Sequence, residues 1–301
     1  MTIAAGSRVQ LAFIPEATYG VTPATPQTQV IDFVNFTGAL NPQTISDPTI
    51  KANRQKSYAR RGNVSTEGSL EVVLRPDNYD AFIEAAMQGA WVTNTLKVGA
   101  TKRSFAIEQG FQEIAQYRVF NGSTISTMAI NVPLNELATA TFGFQGANTT
   151  AFSGTSIDAT PTAVTSKPGF FHEGGVFKEG GVVVGYLSSI QFELNNNLTT
   201  NYALGVLGAR DVSSGVVGIT GTVTALFEDV DFYNKFVGNT DSSIEFTLTT
   251  ETSESMTFNF PRVKYTSGSI PVNSDGPLTV EMKFEALYDD TEGSSLTITR
   301  V

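Results

Sequence analysis

VSTEGSLEVVL (Val64–Leu74) and VGITGTVTALF (Val217–Phe227) are the two stretches on which the fold turns. Shifted by 153 positions they overlay Val64 on Val217, Gly68 on Gly221, Leu70 on Val223, Val72 on Ala225 and Leu74 on Phe227. Each alternates apolar and polar residues, the period-two pattern of a strand with one buried and one wet face. Self-similarity over such a span points to a repeated architecture, so the rest of the chain is read against it.

Working outward, each strand is followed by an acidic, aromatic stretch, Pro76–Gly89 and Glu228–Asn239. Tyr79 with Phe82, and Phe232 with Phe236, fall three and four residues apart, which puts both rings on one helical face. Asp77 and Asp229 suit the helix N-terminus, and Gly89 and Gly238 suit its end. Further on the shift becomes 140, pairing Phe120 with Phe260, Ile125 with Tyr265, Ile130 with Ile270, Val132 with Val272 and Phe144 with Phe284. The difference of 13 residues is read as an insertion in the first copy over Ala90–Lys102, a longer loop or an extra hairpin.

The expected fold is therefore mainly β: two tandem β-sandwich or split-barrel modules, each with one short flanking α-helix. Residues 1–29 read as an N-terminal arm, 30–150 as the first module, 151–179 as a linker rich in Ser, Thr, Ala and Pro, and 180–301 as the second module. Strands are expected at Ser104–Glu108, Tyr117–Phe120, Ile125–Val132 and Leu137–Gln145, and at Ile244–Thr250, Met256–Phe260, Val263–Val272 and Leu278–Leu287. Chance similarity between two β-rich halves is the plain alternative; the shared order of strand, helix, strand and closing hairpin argues for duplication.

Composition agrees with a folded chain. At 301 residues it has room for two cores, 41% of residues are hydrophobic and 16% charged. Cysteine is absent, which excludes thiol catalysis and thiolate metal sites. Neither a signal-peptide-like run nor 18 successive apolar residues occurs, so secretion and membrane insertion are not expected. A net charge of −10 argues against gripping nucleic acid by charge.

QLAFIPEATYGVTPATP (Gln10–Pro26) resembles the opening of tail tube proteins of long-tailed phages, in which a similar E-x-T-Y-G-x-T-P stretch, here Glu16–Pro23, begins the chain. With the size, the acidic charge and the doubled module, the resemblance extends over essentially the whole chain. It implies a structural virion protein, made in the host cytoplasm, whose modules share a sheet around a channel that passes DNA non-specifically during ejection. Its partners are then other copies of itself, a tape-measure protein, and tail terminator and tip proteins, with no cofactor and, by analogy, a non-contractile tail. Physics favours shared strands: about eight close a barrel filled by its own side chains, and many more are needed for an open bore. Six modules per ring make a doubled chain a trimer with pseudo-sixfold symmetry; a hexamer of whole chains is the alternative.

On this reading Glu67–Leu74, Leu137–Phe144, Thr220–Phe227 and Leu278–Phe284 contribute to the channel wall. Their wet faces carry Ser69, Glu71, Thr139, Thr141, Thr222, Thr224, Thr279, Glu281 and Glu285 as lumen-facing candidates. KANRQKSYARR (Lys51–Arg61) departs from the acidic average, with Lys51, Arg54, Lys56, Arg60 and Arg61 among the chain's 19 basic residues. It reads as a hairpin loop reaching the next ring, where the acids of the Asp77, Asp80 and Glu84 helix or of the Asp229 and Asp231 helix would receive it. The matching stretch of the second copy, Asn201–Gly215, has apolar residues and a lone Arg210 instead.

Other functions find less support. The lone His172, beside Glu173 and between glycines, reads as structural, and the acidic clusters lack calcium-loop spacing, so no catalytic or metal-binding residue is assigned. The glycines near Gly174–Gly185 lack the GK[ST] of a phosphate loop. A β-sandwich adhesin, a carbohydrate-binding module or a tail-tip protein is the remaining alternative.

Overall fold

The computed structural model of the chain describes residues 3–227, 230–272 and 276–301. It is mainly β, with two short α-helices among the described residues. The first half holds β1 (Val9–Pro15), β2 (Gln29–Ile31), β3 (Asn35–Ser46) and β4 (Ala59–Val73). There follow α1 (Asp80–Met87), β5 (Thr95–Lys97), β6 (Phe105–Phe111), β7 (Gln116–Val132), β8 (Thr139–Gly146) and β9 (Asn148–Thr149). The second half holds β10 (Phe171–Glu179), β11 (Val182–Val183), β12 (Leu187–Asn195), β13 (Thr199–Asn201), β14 (Asp211–Ser213) and β15 (Gly218–Leu226). It ends with α2 (Asp231–Val237), β16 (Ser242–Thr249), β17 (Ser255–Ser269), β18 (Thr279–Ala286) and β19 (Thr297–Arg300).

Two four-stranded antiparallel units, β3–β4–β8–β7 and β12–β15–β18–β17, meet where β7 pairs with β12. Ile190 faces Val132 and Asn195 faces Thr127, so the units form one continuous eight-stranded sheet. Both β7 and β17 are long because each serves two layers. The N-terminal part of β7 leaves for a second sheet with β6 and β9, which β1 and β2 extend. In the same way the N-terminal part of β17 pairs with β16 and β19, and β16 with β10.

The pairings repeat in register as well as in order. Gly68 faces Phe144 and Gly221 faces Phe284, the same glycine–phenylalanine pair at the shifts of 153 and 140. The ladder slips between Ile125 and Thr127 in β7 and between Tyr265 and Ser267 in β17. A one-residue slip exchanges the two faces of a strand, so matched bulges keep matched residues inward. Phe120 and Phe144 then meet edge-on with centroids 6.2 Å apart, and Phe260 and Phe284 at 5.5 Å. The glycines are needed because the opposed ring lies against the backbone: a Cβ on Gly221 would sit 2.4 Å from Phe284 Cζ, and one on Gly68 2.6 Å from Phe144 Cζ.

Apolar side chains between the layers form the core. Phe82 of α1 joins them, 4.6 Å from Phe13 and 5.6 Å from Phe142, each such ring pair adding about 0.5–1.5 kcal/mol beyond burial. The helix of the second half is held differently. The Glu179 carboxylate, 7% exposed, accepts from Lys235 of α2, from Ser242 Oγ at 2.5 Å and from the Tyr265 hydroxyl at 3.1 Å.

Three connecting segments are more integrated than their composition suggests. Residues 1–29, expected as an arm, contain β1, which pairs with β6 along its whole length and buries Leu11 and Phe13. In the expected linker, 171–179 is strand β10, and the preceding part docks on the first half. Asp158 accepts from Thr28 N at 2.8 Å, and the buried Glu108 accepts from Ile157 N at 2.7 Å and Ser156 Oγ at 2.6 Å. The insertion at 90–102 supplies β5, which pairs with β19 near the other end of the chain, while the Arg300 guanidinium lies over Trp91 at 4.3 Å and meets Asp80. These contacts clasp the first half to the second.

The motif that carried the resemblance is part of this framework. Glu16 accepts from Gly20 N at 2.8 Å, Ser104 Oγ at 2.7 Å and Gly122 N at 2.9 Å. It thereby ties the turn after β1 to the bend at which β7 changes sheets.

Candidate assembly interface and channel face

Strand alternation directs one set of side chains of the eight-stranded sheet into the core and the other to solvent. On the core side stand Leu70, Val72, Phe142, Phe144, Met128, Ile130, Phe192, Val223, Val280, Met282 and Phe284, all buried. All nine residues expected at the channel lie together on the opposite, wet face. Glu71 faces Thr141, Ser69 lies one step along, and Thr139 follows on β8. Thr224 faces Glu281, Thr222 faces Lys283, and Thr279 and Glu285 close the row on β18.

Only the junction of β7 with β12 makes these two groups one surface, and it adds Ala129, Asn131, Gln191 and Glu193 between them. Those four were missed because pairing between strands distant in the chain leaves no local pattern. The face is dominated by hydroxyls, amides and carboxylates, with Glu67, Glu71, Glu193, Glu281 and Glu285 against Lys264 and Lys283. Lys264 is held by Asp241 at 2.9 Å, which leaves Lys283 as the cation without an ion-pair partner among the described residues of this face.

Both ends of the sheet are open. β3 pairs on one side with β4, and the 264–269 part of β17 on one side with β18; neither has a strand on its other side among the described residues. Such edges present free N–H and C=O groups to an incoming strand.

Past the sheet, β3 and β4 continue as a two-stranded arm in which Thr44 faces Arg61 and Ile45 faces Arg60. Lys51, Arg54, Lys56, Arg60 and Arg61 are all exposed on it, and none forms an ion pair among the described residues. The second half has the same arm, β13 with β14, where Thr199 faces Ser213. That second arm folds over the first half: Leu207 O accepts from Val64 N at 2.8 Å, Lys102 meets Asp211 at 3.0 Å, and Asn196 donates to Ala86 O at 2.9 Å.

The acids expected to receive the basic arm are already occupied on α1. Asp77 pairs with Lys167 at 2.6 Å, Glu84 with Arg103 at 3.1 Å, and Asp80 with Arg300. Asp229 lies outside the described residues, as does the side chain of Asp231. His172, read as structural, is the second residue of β10, its ring 4.3 Å from that of Phe171.

A mainly β chain whose central sheet is wet on one face, packed on the other and open at both edges has the form of a structural subunit. Residues 6–286 match the phage tail tube protein family, and the chain belongs to that family. No curated protein sequence matches it. The family is one of structural proteins of the virion, and membership implies self-assembly into a tube.

Proposed function

We propose that the chain is the major tail tube subunit, a tandem duplication of one tube module, and that three chains close a pseudo-hexameric ring around a channel for DNA. One observation carries this reading: the seam inside the chain, β7 against β12, joins the same two strand positions that remain open at its outer edges, β17 and β3. Repeating that seam between chains gives three eight-stranded sheets in one barrel of 24 strands. At ~4.8 Å between strands and a tilt of ~40°, its backbone diameter is roughly 48 Å, which leaves room for duplex DNA, roughly 20 Å across. An eight-stranded sheet closing on itself would fill its own interior.

The wet face then lines the lumen, with Ser69, Glu71, Thr139, Thr141, Thr222, Thr224, Thr279, Glu281 and Glu285 towards the DNA. Its sparse positive charge gives phosphates little to hold, so the polymer slides. The basic arm, Lys51 to Arg61, reaches the neighbouring ring, and tape-measure, terminator and tip proteins bind inside and at the tube's ends.

The seam also fixes the register between chains. Glu193 faces Ala129 within the chain, and the corresponding residues at the open edges are Ala39 and Ser269. Asn196 N donates to Ser126 O at 2.9 Å, so alternation makes Glu193–Ala129 a non-hydrogen-bonded pair, whose side chains lie close. Ala39→Cys with Ser269→Cys, in a chain without native cysteine, should form disulfides between subunits that stop at a closed trimer on a non-reducing gel. Absence of the cross-link, or a ladder running on to six chains, refutes the trimeric ring.

A further inference from the structure

Leu204 and Ile50 are the two most exposed large apolar side chains among the described residues, at 104% and 98%. They occupy one structural position twice. Ile45 and Thr199 stand at the same point in the registers of the two arms, and each exposed residue follows five positions later, at the tip. Both tips lie beyond the end of the sheet at which β3 and β12 finish, the second resting against Arg60 and Asn63 of the first arm with Leu204 left exposed.

The opposite end, where β7 stops and β12 begins, has a cavity of about 280 Å³ lined by Val132, Leu134, Val183 and Leu187. His172 also lines it, with a buried Nε2 that has no hydrogen-bond partner. That volume is ample for one four-carbon side chain. The corresponding place at the other seam is marked by Val272, the counterpart of Val132, which is 81% exposed in the single chain. In a ring, β3 of the next chain would border it.

Resting on the ring reading above, we infer that Leu204 and Ile50 are apolar pegs by which one ring seats in the seam cavities of another copy of the same ring. Three chains then offer two pegs and two seams each, so pegs and seats match in number. Charge agrees with this pairing. Arg60 borders the surface formed by Tyr202 to Leu207 at the foot of the Leu204 peg. Exposed Glu136 lies two residues beyond Leu134 of the seat, and neither Arg60 nor Glu136 has an ion-pair partner among the described residues. A cation at the peg and a carboxylate at the seat steer the ends of two rings together and oppose stacking end for end.

The test introduces Leu204→Asp and Ile50→Asp into the Ala39→Cys/Ser269→Cys protein and reads two quantities. Non-reducing gels report ring closure, and negative-stain images with sedimentation report stacking. The trimer cross-link should remain at the parent's yield while the mass in tubes falls at least tenfold, leaving single rings. Both sites are on the surface, so misfolding does not confound the result. Arg60→Glu should weaken stacking, and Glu136→Arg added to it should restore tubes. Tubes of the parent's length and yield from the double Asp variant overturn the proposal. Failure of the parent itself to cross-link refutes the ring reading first, and the pegs with it.

Discussion

Replacing Glu16 by Ala removes one acceptor group from three donors, and the structure sets the size of the effect. The donors are Gly20 N at 2.8 Å, Ser104 Oγ at 2.7 Å and Gly122 N at 2.9 Å. A hydrogen bond to a charged group contributes about 1.5–3 kcal/mol, so the three together give an upper bound of about 4.5–9 kcal/mol. Glu16 is only half-buried, and the freed donors regain some water, which lowers the expected loss to about 3 kcal/mol. Gln keeps one accepting oxygen but turns an amide N–H₂ towards the remaining donors, of which only the Ser104 hydroxyl can rotate to accept. Glu16→Gln should therefore cost about 1.5 kcal/mol. Urea unfolding of dilute protein, followed by far-UV circular dichroism and by Trp91 fluorescence, measures both. An unchanged slope with a lower midpoint assigns the loss to stability. A Glu16→Ala protein within about 0.5 kcal/mol of the parent, or a Gln variant worse than Ala, would refute the clamp.

Two further outcomes test the sheet and its buried hydroxyls. A Cβ on Gly68 would lie 1.8 Å from Thr37 O, and one on Gly221 2.7 Å from Gln191 O, backbone atoms that cannot turn aside. Gly68→Ala and Gly221→Ala should each cost more than about 2 kcal/mol in urea unfolding, whereas Gly218→Ala, with open space around its position, should be nearly neutral. Burial pushes the Tyr79 hydroxyl, which donates to Asp32 O at 2.7 Å, up to about 12, the Asp32 charge adding to the rise and Arg75 opposing it. Burial, reinforced by the Glu179 charge, raises Tyr265 as well. Both groups stay protonated in the fold after the unfolded chain ionises near pH ~10, so their contribution is complete below that pH and declines above it. Midpoints in urea should fall between pH 9 and 11, and Tyr79→Phe should flatten the fall; equal slopes for parent and variant would count against it.

The alternation in Val64–Leu74 and Val217–Phe227 was enough to place two central strands and to decide which of their residues are wet, because a strand's two faces follow from a period of two. Aromatic residues three and four apart located both helices, and self-similarity gave the shifts that overlay Gly68 on Gly221 and Phe144 on Phe284. Leu11 and Phe13 carried a signal too, but three prolines nearby masked the short run that is β1. By contrast, nothing local distinguishes Ala151–Lys167 as a free linker from a segment held by Glu108 and Thr28, since hydrogen bonds made over such distances leave no spacing in the chain.

By itself, then, the order of residues determined a mainly β chain, its wet and dry faces and the correspondence of its halves, all properties of neighbours along the backbone. Tertiary structure alone decided that β7 meets β12, that β5 clasps β19, and that the two wet faces become one surface open at both ends. Strand pairing is made by backbone groups that every residue possesses, so the choice of partner depends on where the whole fold leaves an edge exposed.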